Sequence, residues 1–515
     1  MLSEDVLLNI FRHYLHTSPR FWTTLVRVST RWRRVVFSSP LGLGLRLHCT
    51  YGSSVLKGLE LWPFPIVVNY GGYTELVPRN EDNVVAALKQ SNRVSSICLV
   101  VTNLLLKKLS TISEPFSGLQ DLVLLSDYNL QLTLPSSFRW GAHLRRLQLT
   151  RITIPSLPEL FLHSQALTDL ELNEIPYAGY FSSEAFANAL SGMTQLRSLS
   201  LDFFSLPLRL NLFASPPPSG ERVILPALTC FKYRGTSKYL DCLLARIDAP
   251  RLEDFRIKSY GEPTMDASQL GLFIDRIEKQ RLHSRADIVA SDRVVSISFT
   301  QPGAPTRLYL QMLSDEFGRR LASMVQLCKH FSPFLFRIEY LRVKTQPPSW
   351  RNNMNNQTWL DLIRVFGGVK VLDVSGKGVI DMFGAFRLAD REEPILPALC
   401  ELRIPELRSA GGHLWKAAKS FIVPRWSSGT FIQSSTFPVI CGLEDNRNLY
   451  FCAFCDVGFV LRGMFEVHAC RPTYTSLCAI PVGKDVLSHI PKTSAPTLST
   501  QSTVQVSTSS IPFPS

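Results

Sequence analysis

The residues best equipped for chemistry lie in YFCAFCDVGFVLRGMFEVHAC, residues 450–470. Cys452 and Cys455, separated by two residues, form a thiolate knuckle suited to a soft, four-coordinate cation, and His468 follows twelve residues on. Zinc takes such sulfur and imidazole donors in a tetrahedron. Cys470 is the nearest fourth donor, with only Ala469 between it and His468. Two positions on a continuing helix are about 200° apart, so Cys470 reaches the same ion only if the helix ends at His468; Cys478 is a more distant candidate. The expectation is a structural zinc on Cys452, Cys455, His468 and Cys470. The alternative is a reduced pair of thiols in a small, partly folded segment. Nothing else in the chain calls for a cofactor.

A second chemistry is electrostatic. A phrase of the form L-x-x-L-x-L recurs with substitutions, as in LTDLEL at 167, LTCFKY at 228, LEDFRI at 252 and IEYLRV at 338. If each phrase is a strand with its leucines buried, the alternate residues face outward. These are Asp169 and Glu171, then Lys232 and Arg234, Arg256 and Lys258, and Arg342 and Lys344. Lys232, Arg234, Arg256, Lys258 and Arg342 would form a basic strip able to hold an acidic or phosphorylated protein segment through charge-assisted hydrogen bonds. The alternative is that these charges simply keep an exposed sheet face solvated. No G-x-S-x-G elbow, H-E-x-x-H helix, paired acidic motif or glycine-rich phosphate loop occurs, so binding rather than catalysis is expected.

The elements that position this strip are periodic. The phrase returns at 94, 119, 144, 167, 196, 228, 252, 294, 338, 369 and 399. Between copies, NVVAALKQS (83–91), EAFANALSG (184–192), LDCLLARI (240–247) and WLDLIRVFGG (359–368) read as short helices. This resembles a run of degenerate leucine-rich repeats, lacking the consensus Asn after the strand, as in LRRLQLTRI. Helix and strand in alternation imply parallel strands on one face, helices backing the other, and leucines that only stacking can bury. A conventional α/β domain is the alternative. Around position 294 the spacing widens, and DRVVSISFTQPGAPTRLYLQM predicts a strand, a turn at Pro302-Gly303 and a second strand, either an inserted hairpin or a widened repeat. PPPSGER (216–222) and KTQPPSWRNNMNNQT (344–358) read as exposed loops.

In LSEDVLLNIFRHYL, residues 2–15, Leu7, Ile10, Phe11 and Tyr14 fall at helical spacing and form one apolar stripe. Trp22, Leu25 and Val26 make a second stripe and Trp32, Val35 and Val36 a third, with a break at Ser18-Pro19. Three short helices are marginal alone, and each large side chain left wet forgoes about 1.5–3 kcal/mol. The block therefore docks on something. Leu2, Val6, Leu7, Ile10 and Phe11, then Leu25, Val26 and Val28, then Trp32-Arg33 and Val35, resemble the F-box, with Ser3 where that family usually has Pro. The continuation, PLGLGLRLHCT and LWPFPIVV, is similar to the segment after the F-box in a group of fungal F-box proteins. The resemblance implies docking on the Skp-type adaptor, and hence the cullin core, of an SCF ubiquitin ligase. Leu2, Val6, Leu7, Ile10, Phe11, Leu25, Val28 and Trp32 would make that contact. The competing reading is an intramolecular three-helix cap. Residues 450–470 likewise resemble the first three ligand positions of a C2H2 zinc finger, with Phe459 and Phe465 at its small apolar core.

A chain of 515 residues with 45% apolar content is too long for one ordinary core. No apolar run approaches the roughly 18 residues of a membrane span, and Glu4 and Asp5 stand where a signal peptide carries Lys or Arg. An intracellular protein, in cytoplasm or nucleus and without membrane contact, is expected. Its eleven cysteines are scattered and read as reduced thiols. The net charge of +13 is dispersed, with no tract of five or six basic residues, so nucleic acid is not the expected partner. The expected organisation is an α/β chain with a three-helix F-box module over 1–48 and a linker or first cap over 49–80. A leucine-rich-repeat-like solenoid of parallel strands and helices follows over 81–430, then a zinc-finger-like segment over 445–480. A disordered Ser/Thr/Pro tail over 488–515 ends the chain. The function expected is the substrate-recognition subunit of an SCF-type ubiquitin ligase, without catalysis of its own. The alternatives are a zinc-dependent nucleic-acid or chromatin-associated protein and a non-ligase repeat scaffold.

Overall fold

The computed structural model describes residues 2–436 apart from 18–20, 41, 51–55, 71–80, 113, 127–131, 136–137, 155–160, 162–163, 204–221, 261–267, 278–282, 292, 304–306, 315, 346–355, 377–378, 390–394, 405–417, 419 and 422–433, and beyond them 442–443 and 450–451. Two compact units divide after Pro438. In the second, Gly442–Leu443 pairs antiparallel with Tyr450–Phe451. Cys452, Cys455, His468 and Cys470, and the tail over 488–515, lie outside the described residues.

The first unit opens with three helices, α1 (Glu4–Thr17), α2 (Trp22–Val28) and α3 (Thr30–Ser38). A 16-stranded sheet follows. In chain order its strands are β1 (Leu47–Thr50), β2 (Ile66–Tyr70), β3 (Val94–Val101), β4 (Asp121–Ser126), β5 (Arg146–Thr150), β6 (Asp169–Ile175), β7 (Ser198–Phe203) and β8 (Cys230–Thr236). Then come β9 (Asp254–Tyr260), β10 (Arg285–Ala290), β11 (Val295–Thr300), β12 (Arg307–Leu313), β13 (Tyr340–Thr345), β14 (Val371–Ser375), β15 (Glu401–Arg403) and β16 (Ser434–Thr436). The helices between them include α4 (Leu56–Leu61), α5 (Glu81–Leu88), α6 (Asn103–Ser110), α7 (Ser183–Leu190), α8 (Ser237–Leu244) and α9 (Ser268–Arg276). The later ones are α10 (Phe317–Lys329), α11 (Ser332–Leu335), α12 (Asn356–Arg364) and α13 (Val379–Ala389). Among the described residues no helix is long and apolar enough to cross a membrane.

Strands β1 to β9 lie in sequence order and pair in parallel. Each recurring phrase holds a strand, and its residues have distinct duties. The first leucine precedes the strand and closes a turn: Leu119, Leu144, Leu167, Leu196, Leu228 and Leu252 each donate a backbone N–H to the carbonyl three residues back. The next two apolar positions face the core, as Leu122 and Leu124, Leu147 and Leu149, and Phe255 and Ile257 do, all buried. Sequential parallel strands joined by right-handed crossovers place their helices on one side, so one face is buried and the other is open. The alternating burial of β4, β5 and β6 records this.

The interruption near residue 294 is larger than a hairpin. From β9 the chain passes through α9 to β10, three places along the sheet, then returns through β11 and β12 to lie beside β9. Only β11 runs antiparallel, so β12 continues from β9 and β10 leads on to β13 in parallel. Gly303, at φ +79°, supplies the left-handed residue in the β11–β12 turn. Two boundaries differ from expectation. The sheet begins at Leu47, so the stretch 49–80, expected as a linker or first cap, holds α4 and β2, and β16 lies beyond residue 430. Within 344–358, Lys344 and Thr345 finish β13 and Asn356 begins α12, because Thr345 continues the buried alternation.

The first edge of the sheet is tied by a polar cluster. Asn83 Nδ2 donates to Tyr70 Oη at 2.9 Å, Tyr70 Oη donates to the Thr50 carbonyl at 2.9 Å, and Cys49 is fully buried beside them. Burial pushes the Cys49 thiol up to about 11. An unfolded thiol ionises near pH 8.5, so the unfolded chain loses this proton first. Stability present below that pH therefore falls as pH rises towards about 11. Urea denaturation at neutral and alkaline pH should show a smaller alkaline loss for Cys49→Ala than for the unaltered chain.

Candidate functional site: two interaction surfaces

The N-terminal block is built from caps and one aromatic contact. Val6 N donates to Ser3 Oγ at 3.4 Å and Leu7 N to the Ser3 carbonyl at 3.1 Å, while Glu4 and Asp5 complement the helix dipole of α1. Ser3 thus caps the first turn of α1. Ser29 Oγ accepts from Trp32 N at 3.1 Å and caps α3. Phe11 meets Trp32 with ring centroids 4.7 Å apart, and Leu7, Leu15, Leu25, Val35 and Val36 are buried.

This packing divides the stripe read from the sequence. Leu7 and Phe11 are 3% and 0% exposed, whereas Leu2, Val6, Ile10 and Tyr14 are 53%, 42%, 46% and 40% exposed. Val6, Ile10 and Tyr14 step by four residues and form a single ridge on α1, with exposed Leu2 just before the helix. Leu7, Phe11 and Leu25 are therefore interior residues and offer nothing to a partner, a correction to the expected contact set. Val28 is exposed on α2, and Trp32 is half-buried.

The block is fixed to the sheet. Trp22 Nε1 donates to the Arg46 carbonyl at 3.2 Å, next to β1. Trp22 meets Phe64 edge-on at 5.5 Å, and Phe37 stacks on Trp62 at 4.5 Å. The Arg93 guanidinium, just before β3, donates to the carbonyls of Leu59, Trp62 and Phe64. Burial lowers its pKa from the usual arginine range.

The second surface is the open face of the sheet. Lys232 stands opposite Arg256, and Arg234 opposite Lys258, so β8 and β9 bring four cations into a two-by-two block. The outward directions expected for Asp169, Glu171, Lys232, Arg234, Arg256, Lys258, Arg342 and Lys344 agree with the burial pattern. Two carboxylates share the block. Arg234 pairs with Asp202 at 3.4 Å and Arg256 with Asp254 at 2.7 Å. Burial raises the Asp202 pKa, opposed by the charge of Arg234. Sequence reasoning did not assign Arg307 and Tyr309, which face Asp254 and Arg256 from β12. The alternation in RLYLQML carries the signal, but which strand it adjoins is a matter of topology.

Arg342 does not belong to the block, because β12, β11 and β10 intervene. It donates to Asp373 at 3.1 Å, and Tyr340 Oη donates to the same carboxylate at 2.6 Å. Arg285 lies 4.3 Å from the Tyr340 ring centroid, with Arg342 and Arg403 at 5.9 and 5.8 Å. Asp287, Asp373 and Glu401 balance these three arginines. The cluster is internally neutral.

Among the described residues no group of three or more His, Cys, Asp or Glu side chains is placed to hold a metal ion. The four cysteine and histidine ligands expected for zinc lie outside those residues. No protein-family model matches the chain, and no curated protein matches it. The junction makes the clearest energetic statement: Trp22→Ala should cost about 3–5 kcal/mol by urea denaturation, whereas the exposed Val28→Ala should stay within about 0.5 kcal/mol.

Proposed function

We propose that the chain is a non-catalytic, intracellular substrate-recognition subunit of an SCF-type ubiquitin ligase. Residues 2–38 act as an F-box on the Skp-type adaptor, which links the chain to the cullin core. The sheet and its helices act as a leucine-rich-repeat-like solenoid that holds a protein substrate. The observation that carries the reading is the ridge of Val6, Ile10 and Tyr14, continued by Leu2 just before the helix, exposed beside a row of α1 that is already buried against α3. Scattered exposed apolar residues are ordinary, but three aligned on one helical ridge, with a fourth just before it, form the contiguous patch of an interaction site.

The anchored junction supports the same reading. A receptor contributes to transfer by holding a target at a set distance, which favours a stiff connection over a tether. Arg93 and the Trp22–Phe37–Trp62–Phe64 aromatics supply that connection. A structural zinc on residues 452–470 belongs to this reading as an accessory and has no part in the adaptor contact.

Co-expression with a Skp-type adaptor tests the proposal. The full chain should capture the adaptor, and Val6→Glu with Ile10→Glu should reduce capture by roughly tenfold or more, as expected for charges placed in a hydrophobic contact. Thermal melting should leave that variant folded, since both side chains are exposed. Failure of the unaltered chain to capture any adaptor overturns the reading.

A further inference from the structure

We infer that the open face of β7, β8, β9 and β12 binds a short polypeptide segment carrying two or three consecutive Asp or Glu side chains. This rests on the proposed reading of the sheet as a receptor surface, and it names the class of substrate. Five cations, Lys232, Arg234, Arg256, Lys258 and Arg307, face outward there against two carboxylates, Asp202 and Asp254. The excess is +3. Neighbouring β4, β5 and β6 carry Asp121, Arg146, Asp169, Glu171 and Glu174, an excess of −3, so the positive field is local to this patch.

The cations divide by their engagement. Arg234 and Arg256 are held by Asp202 and Asp254. Lys232, Lys258 and Arg307 are exposed, and none makes an ion pair within 4 Å among the described residues. Lys232 and Lys258 sit diagonally across the β8–β9 pair, and Arg307 lies beside Tyr309, 5.5 Å from its ring centroid. Lysines act as mobile point charges and impose no planar fork, so the patch selects for charge number over phosphate geometry. Of the three arginine forks that would favour phosphate, those of Arg234 and Arg256 are already occupied by carboxylates, which leaves two lysines and Arg307 to meet a ligand.

Dimensions distinguish a peptide from a nucleic acid. Strands lie about 4.8 Å apart, so β8 to β12 spans about 10 Å, the length of roughly three extended residues. A polyanion with a charge on every nucleotide would extend across Asp202 and onto Asp169 and Glu171, two strands beyond β8. A short acidic run ends before it meets them.

The test is fluorescence anisotropy of the full chain in low-salt buffer, where exposed charges are least screened. The probe is a labelled peptide bearing three consecutive glutamates, compared with its glutamine counterpart, a phosphoserine counterpart and a short DNA single strand. The glutamate peptide should bind, with the glutamine peptide at least about tenfold weaker. Lys232→Glu with Lys258→Glu should weaken binding roughly tenfold, since each exposed pair lost and reversed acts in the same direction. Asp254→Asn, which releases Arg256, should tighten it. Lys89→Glu with Lys329→Glu, exposed outside the patch, should change nothing. Equal binding of the glutamine peptide, indifference to the patch reversal, or phosphoserine or DNA binding more than about tenfold tighter overturns the inference. Adaptor capture on the same preparations separates the two readings: capture without acidic-peptide binding sinks only this one, and peptide binding without capture sinks only the ligase assignment.

Discussion

A parallel strand cannot pair with its predecessor until the chain has been returned between them, and no strand–helix unit here encloses its own apolar residues. Burial is completed only between successive units. Every second strand residue is committed to the helix side, and the register of each pairing follows, because a one-residue slip would expose a whole row. Leu122, Leu147, Leu170 and Leu199 stand opposite one another across four strands for that reason. The same commitment leaves the other row facing outward, where charge is cheap to place and can be read by a partner.

That constraint also explains how the sheet tolerates an excursion. Strands β10, β11 and β12 reverse their order but preserve polarity at both ends, since an odd number of antiparallel steps was not introduced: β12 still runs with β9, and β10 with β13. The buried row continues from Ile257 through Leu310, Ile297 and Ile288. The outward row is rearranged, bringing Arg307 against Asp254 and moving Arg342 away. A functional surface is thus edited while the core remains continuous.

The N-terminal block obeys the same accounting of faces. One row of α1 is used internally against α3, and the next row is left outside, while α2 and α3 are locked to the residues around β1 and β2 through aromatic contacts and one indole hydrogen bond. An exposed apolar ridge on a firmly seated helix differs physically from a frayed terminus, because its geometry is set before a partner arrives.

Much of the core was legible in the sequence. The recurring phrase located strands β3 to β9, β11 and β13 to β15, because period-two burial and a turn-closing leucine are local properties of the chain. The helices α5, α7, α8 and α12 followed from their spacing, and the outward direction of Lys232, Arg234, Arg256 and Lys258 followed from alternation. The strand β10, the neighbours of β12 and the removal of Arg342 from the basic block were not legible, since strand order depends on pairing between residues distant in sequence. Nor could the pattern of α1 say which of its adjacent rows would be buried: Leu7 and Ile10 look alike in sequence. Only the crossing of α1 by Trp32 and its helix assigns one to the interior and the other to the surface, because a side chain's exposure is decided by what covers it.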